Sequence, residues 1–172
     1  ADYQIQSSPA ATRWGGELLE DARVRLEAAC TRLSRALELA QQEEDFVKFL
    51  DPLRDELGQA QRIREAVCAN DWDLAFARST AAAFGRFPAV RKGDAILRGR
   101  IKALRDSAKT LVQELSKKIF LCDSEVFREE QQLCLPMVEA LAAAVRLFAD
   151  RLYEKKLEAK AFGFDDFEHA AL

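Results

Sequence analysis

From Gly93 to Phe120 the chain keeps a single periodicity. Leu97, Ile101, Leu104, Ala108, Leu111 and Leu115 recur at alternating steps of four and three, and Ile119 continues the series one turn later. That spacing aligns them as one stripe of an α-helix. Asp94 stands where a carboxylate can accept bonds from the free amides of the first turn. At about 1.5 Å per residue the helix is roughly 40 Å long, enough for the other segments to pack along it. Arg98, Lys102, Arg105 and Lys109 follow at steps of four, three and four, and make a cationic stripe. The stretch therefore predicts a central helix with one face for a core and another for an anionic partner.

What surrounds it is equally helical in character. The chain has 7 Gly and 4 Pro in 172 residues, few β-branched side chains, and 49% apolar residues. This favours an all-α fold, an antiparallel helical bundle of about five to seven helices. Net charge is −3, but it is unevenly spread. Between Arg86 and Lys118, ten basic residues face only Asp94, Asp106 and Glu114, while both ends of the chain are acidic. Cys30, Cys68, Cys122 and Cys134 are scattered and the single His169 is remote from them, so no zinc-ligand spacing occurs. Small apolar thiols in a reducing cytoplasm are the expectation. No uninterrupted apolar run approaches the ~20 residues of a membrane span, and no secretory signal pattern is present. The chain starts without Met and stops just after an apolar helical pattern, which reads as a piece of a longer polypeptide.

Residues 1–8 have no periodicity. Ser8-Pro9 is a helix-start signal, but Gly15-Gly16 delays the expected helix to about Glu17. Leu19, Ala22, Leu26, Ala29, Leu33, Ala36 and Ala40 then form a heptad seam, best read as bundle packing. Glu43-Glu44-Asp45 reads as a solvated acidic run, and Phe46, Phe49 and Leu50 as buried. Asp51-Pro52 is expected to open a second helix carrying Leu53, Leu57, Ala60, Ile63 and Val67. Asn70-Asp71 opens a third with Trp72 as a core anchor. Gly85 to Gly93 is the least helical stretch and adds Arg86, Arg91 and Lys92 to the basic region. No G-x-x-x-x-G-K-[ST] is present, so no nucleotide cradle is expected. Beyond a turn at Cys122–Glu125, capped by Asp123 or Ser124, Leu135-Pro136 should break or kink the helix. Met137, Leu141, Ala144, Phe148 and Leu152 then form an amphipathic segment, the expected antiparallel partner of the central helix.

The last residues read Phe162-Gly-Phe-Asp-Asp-Phe-Glu-His-Ala-Ala-Leu172. They resemble the Leu-Asp-Phe-x-Asp-Leu-Glu-His-x-x-Leu segment of AddA-type ATP-dependent helicase/nucleases, within the UvrD-like superfamily 1 helicases. Arg105, Lys109, Ile119-Phe120, Ser124-Glu125, Pro136, Phe148, Tyr153 and Lys156 keep the order seen ahead of that motif. Gly163 stands where the family has Asp, which leaves Asp165 and Asp166 as candidates for its capping role. The resemblance implies that residues 1–161 are a helical 1B-like subdomain. Residues 162–172 would be a junction leading back into the ATP-binding domain, through Phe164, Asp165, Asp166, Phe167, Glu168 and His169. One Glu beside one His is no active site. No cofactor or metal site is expected in these residues. ATP and Mg would belong to the parent protein, a helicase/exonuclease of double-strand break repair. Its substrate would be duplex or single-stranded DNA, and it would work beside an AddB-type partner subunit. The piece itself would be monomeric and would grip phosphates through Arg91, Lys92, Arg98, Lys102, Arg105 and Lys109. The alternatives are a helical protein-interaction module without DNA binding, or the equivalent part of a RecB-like or UvrD/Rep-like helicase.

Overall fold

Capping chemistry sets the helix boundaries of this chain. The computed structural model describes residues 4–161 and Gly163. It contains α1 (Arg13–Ala40), α2 (Val47–Cys68), α3 (Trp72–Ala81), α4 (Ala95–Lys118) and α5 (Ser124–Ala159), with short 3-10 turns at Pro9–Ala11 and Glu44–Phe46. No strand occurs among the described residues. Thr12 Oγ1 accepts from Gly15 N at 2.9 Å, Asp71 from Leu74 N at 3.0 Å, Asp94 from Ile96 N at 2.7 Å and Asp123 from Val126 N at 2.9 Å. Each such cap stabilises its helix by about 1 kcal/mol.

Three boundaries depart from the sequence reading. α1 begins at Arg13, with Gly15 inside its first turn. A Cβ on Gly15 would lie 1.8 Å from the Pro9 carbonyl oxygen, so this glycine permits a close approach and does not weaken the helix. α2 begins at Val47, ahead of Pro52. Phe46 and Phe49 are fully buried, and seating both rings winds this segment one turn early. Pro52 deprives only the carbonyl of Lys48, an exposed residue near the helix start, where water can serve it. α5 runs unbroken through Pro136.

The chain divides into a bundle, Gln6–Arg128, and a second unit that takes up α5 from Glu129 onward together with Ala1–Ile5. Within the bundle the shaft is α1, not the 93–120 helix: α2 and α4 both pack along α1. All seven predicted seam residues of α1 are buried. Leucine alternates with alanine along the seam, so large side chains of the neighbours fit over the small ones. Contacts along the helices give their directions. Glu43, just past the end of α1, meets Asp94 at the start of α4, and Arg25 of α1 meets Glu114 late in α4, so α1 and α4 are antiparallel. α2 follows α1 through a short connection and runs beside α4, joined by Glu56 and Arg105. α3 folds back on α2, with Arg78 beside Glu65. Trp72 closes one end. Its ring is edge-on to Phe120 at 5.0 Å and its indole N–H donates to the Cys122 carbonyl at 2.8 Å, so it is the core anchor expected.

α5 beyond Glu129 contrasts with this. Leu133, Met137, Leu141 and Phe148 are each at least 66% exposed. The face predicted to pack against the central helix is open, and α4 buries its own stripe inside the bundle, against α1 and α3. By length and composition α5 also meets the requirement for crossing a membrane, which a count of uninterrupted apolar residues does not detect. Glu139 and Arg146, seven residues apart, share the side of the helix away from Met137, Leu141 and Phe148. The helix is thus amphipathic, not uniformly apolar.

Candidate nucleic-acid interface

The buried set of α4 is Ile101, Arg105, Ala108, Val112 and Leu115. The predicted stripe is rotated by about one position, leaving Leu97, Leu104 and Leu111 half-buried at its flank. That rotation carries Arg105 inward, where it is 4% exposed. Its Nε donates to both Glu56 carboxylate oxygens, at 3.0 and 2.9 Å, and its Nη2 donates to Glu56 Oε1 and, at 2.7 Å, to the Gly85 carbonyl. The guanidinium lies 4.7 Å over the Phe87 ring, and Nη1 reaches Asp106 at 3.3 Å. Arg105 is therefore not a phosphate contact in this fold, because its donors are occupied. Burial alone would lower its pKa, but hydrogen bonds and charge from Glu56, helped by Asp106, more than offset that and hold it above the usual arginine value.

The other predicted cations stay outside. Arg91, Lys92 and Lys102 are exposed; Arg98 and Lys109 are half-buried at the edge of the core stripe. None of the five has a carboxylate partner among the described residues. Lys102 and Lys109, seven apart, stand on one side of α4. Arg98 Nη1 donates to the Lys92 carbonyl at 3.2 Å and so ties the loop to the first turn of α4. The acidic run is not simply solvated. Glu44 and Asp45 line one groove with Arg91 and Lys92, and Glu43 Oε2 accepts from Asp94 N at 3.1 Å. Gly93 adopts φ +81° there, and a Cβ would come within 2.9 Å of Glu43 Oε2 and the Phe46 ring, so only glycine fits.

Glu56 escapes a reading of the sequence that follows apolar residues alone, although a signal exists. Leu53, Glu56, Ala60, Ile63 and Val67 follow steps of three and four, as do Ile101, Arg105, Ala108, Val112 and Leu115. Each seam holds one charge, and the two are opposite. A lone charge inside an apolar seam asks for a buried partner. Among the described residues, no three His, Cys, Asp or Glu side chains come together as metal ligands. Cys30, Cys68, Cys122 and Cys134 form no disulfide, and burial pushes the Cys30 thiol pKa up.

No family model matches the chain. Individual relatives do. The AddA-type ATP-dependent helicase/nuclease of Geobacillus kaustophilus is 31% identical over 157 residues, 90% of this chain. The protein of the same name from Geobacillus thermodenitrificans is 28% identical over 157 residues, and that from Clostridioides difficile 25% over 167 residues, 92% of the chain. The chain belongs to the AddA-type ATP-dependent helicase/nuclease family. It spans 13% of the length of these relatives. The similarity covers nine-tenths of the chain, well beyond the tail motif, and so reaches the N-terminal helices too. The tail residues Phe164, Asp165, Asp166, Phe167, Glu168 and His169 lie outside the described residues. Within this family segment, the cations left for a partner are the loop pair Arg91 and Lys92 and the edge residues Arg98, Lys102 and Lys109.

Proposed function

We propose that the bundle is a DNA-contacting 1B-like arm of a helicase/nuclease, spanning residues 1–161, with 162–172 as its junction to the ATP-binding domain. The parent protein would use ATP and Mg elsewhere and act on DNA ends in double-strand break repair, beside an AddB-type partner in the cytoplasm. The carrying observation is that Arg91, Lys92, Arg98, Lys102 and Lys109 lack carboxylate partners among the described residues, on a chain related to helicase/nucleases. Such cations neutralise phosphates without reading bases, which suits a motor that tracks any sequence. Arg105, withdrawn into the core, has no place in this contact set.

The test is a salt titration of duplex binding by the parent protein carrying Lys102→Glu and Lys109→Glu. The slope of log affinity against log salt should fall by about one per phosphate contact removed. An unchanged slope would refute the assignment. A second reading, a helix-docking module without a DNA role, draws on the open apolar face of α5 at Met137, Leu141 and Phe148. It expects self-association or partner capture with no salt-dependent DNA binding, and sedimentation combined with the same titration separates the two.

A further inference from the structure

The loop between α3 and α4 has no helix or strand, yet it is held at several points. Gln59 brackets Ala83, accepting from its N–H at 2.8 Å and donating to its carbonyl at 3.3 Å. Arg105 donates to the Gly85 carbonyl and covers the Phe87 ring. Phe87 in turn stacks on Phe49 at 4.5 Å, and Phe49 on Phe46 at 5.5 Å. Glu43 and Arg98 hold the far end at Asp94 and Lys92. Between the Phe87 anchor and the far end, Arg91 and Lys92 face solvent.

We infer that Arg105 is a positioning residue: joined to Glu56, it fixes the Gly85–Phe87 corner and so presents Arg91 and Lys92 in a set geometry to a nucleic-acid phosphate backbone. The inference rests on the phosphate-gripping reading above. Its chemistry needs arginine in particular. One planar fork must meet a carboxylate, a backbone carbonyl and an aromatic face together, and the point charge of a lysine can satisfy the carboxylate but not all three. A loop that is already ordered loses less conformational freedom on binding, so its cations contribute more of their contact energy to affinity. The same side chain that the helical periodicity placed in the phosphate stripe thus acts one step behind it.

The test uses the full chain with Arg105→Lys, which keeps a cation for Glu56, and separately with Phe87→Ala, which leaves the Arg105–Glu56 pair in place. Limited trypsin digestion should cut faster at Arg86, Arg91 and Lys92 in both variants, with helical content by circular dichroism unchanged. On a blunt DNA duplex, Arg105→Lys should lower the salt slope by up to about two, one for each loop cation. Adding Arg105→Lys to the pair Arg91→Gln and Lys92→Gln should cause no further loss, because a residue acting through the loop has nothing left to position. Additive loss would mean that Arg105 touches phosphate or acts only on global stability, and would overturn the inference. Unchanged loop cleavage in both variants also overturns it, whatever the DNA result. Faster cleavage with an unchanged slope, in a chain that does bind duplex, overturns the link from loop order to DNA. A wild-type chain with no duplex affinity, but with cleavage that responds to Arg105, sinks the phosphate reading and this inference with it, and leaves loop anchoring as the finding.

Discussion

α4 and α5 begin from the same kind of pattern and end in different states. Both are long amphipathic helices with an apolar stripe and a charged back. α4 buries its stripe between α1 and α3, and its seam tolerates a charge only because Glu56 meets Arg105. α5, beyond Glu129, leaves Leu133, Met137, Leu141 and Phe148 open. The difference teaches that periodicity announces a face in need of cover, but not whether the same chain supplies the cover. It also separates two kinds of apolar surface, one that stabilises this fold and one that contributes little to it.

The largest expected effect tests the first kind of surface. Glu56→Ala leaves Arg105 buried and uncompensated, and should destabilise the chain by about 3–5 kcal/mol in chemical denaturation. A loss under about 1 kcal/mol would mean that the pair is solvated in solution. Next comes a direct contrast of the two helices. Leu115→Ala in α4 should cost about 2–5 kcal/mol through the cavity it leaves, whereas Leu141→Ala in α5 should stay within about 0.5 kcal/mol. Equal costs would erase the distinction between the two surfaces. A smaller effect sharpens the electrostatic side. Glu44→Gln with Asp45→Gln removes the acids that share a groove with Arg91 and Lys92, and should raise duplex affinity by about threefold at low salt. No change in a filter-binding titration would show that this loop end does not meet DNA.

The smallest effect concerns the solvent side of α4. Lys118, through its hydrogen bond and charge, and then Arg25 hold the Glu114 pKa below the usual carboxylate value. A pKa lower in the folded than in the unfolded state means stabilisation that is complete above the ordinary glutamate range and lost as pH falls through the folded value. Glu114→Gln should therefore flatten the acid side of the stability–pH profile and leave the alkaline side unchanged, as read from denaturation midpoints across pH.

Much of the bundle was legible in advance for local reasons. Ser8, Asp71 and Asp94 cap helices because a short side-chain oxygen reaches free amides, and that geometry needs no distant partner. The α1 seam was legible because seven positions agree on one face. The start of α2 was not, since the burial of Phe46 and Phe49 overrides the Asp51-Pro52 signal. Gly15 looked like a weakness and is instead a contact point with Pro9, which only the packed chain reveals. In the candidate interface, Lys102 and Lys109 were placed correctly on the outside, but Arg105 was not. Three- and four-residue steps define a stripe only to within about one position, and that margin separates a half-exposed lysine from a buried arginine.

By itself, then, the sequence determined an all-helical chain, its capped boundaries, a basic middle third and a kinship that the relatives bear out. Local propensity, side-chain period and charge density are properties of neighbouring residues, so they can be read in order along the chain. Tertiary structure decided which helix became the shaft, which of the aligned cations turned inward, and that the face of α5 stayed open. Those outcomes depend on how well distant surfaces fit and on whether a buried charge finds its opposite, and neither is written in the spacing of any one helix.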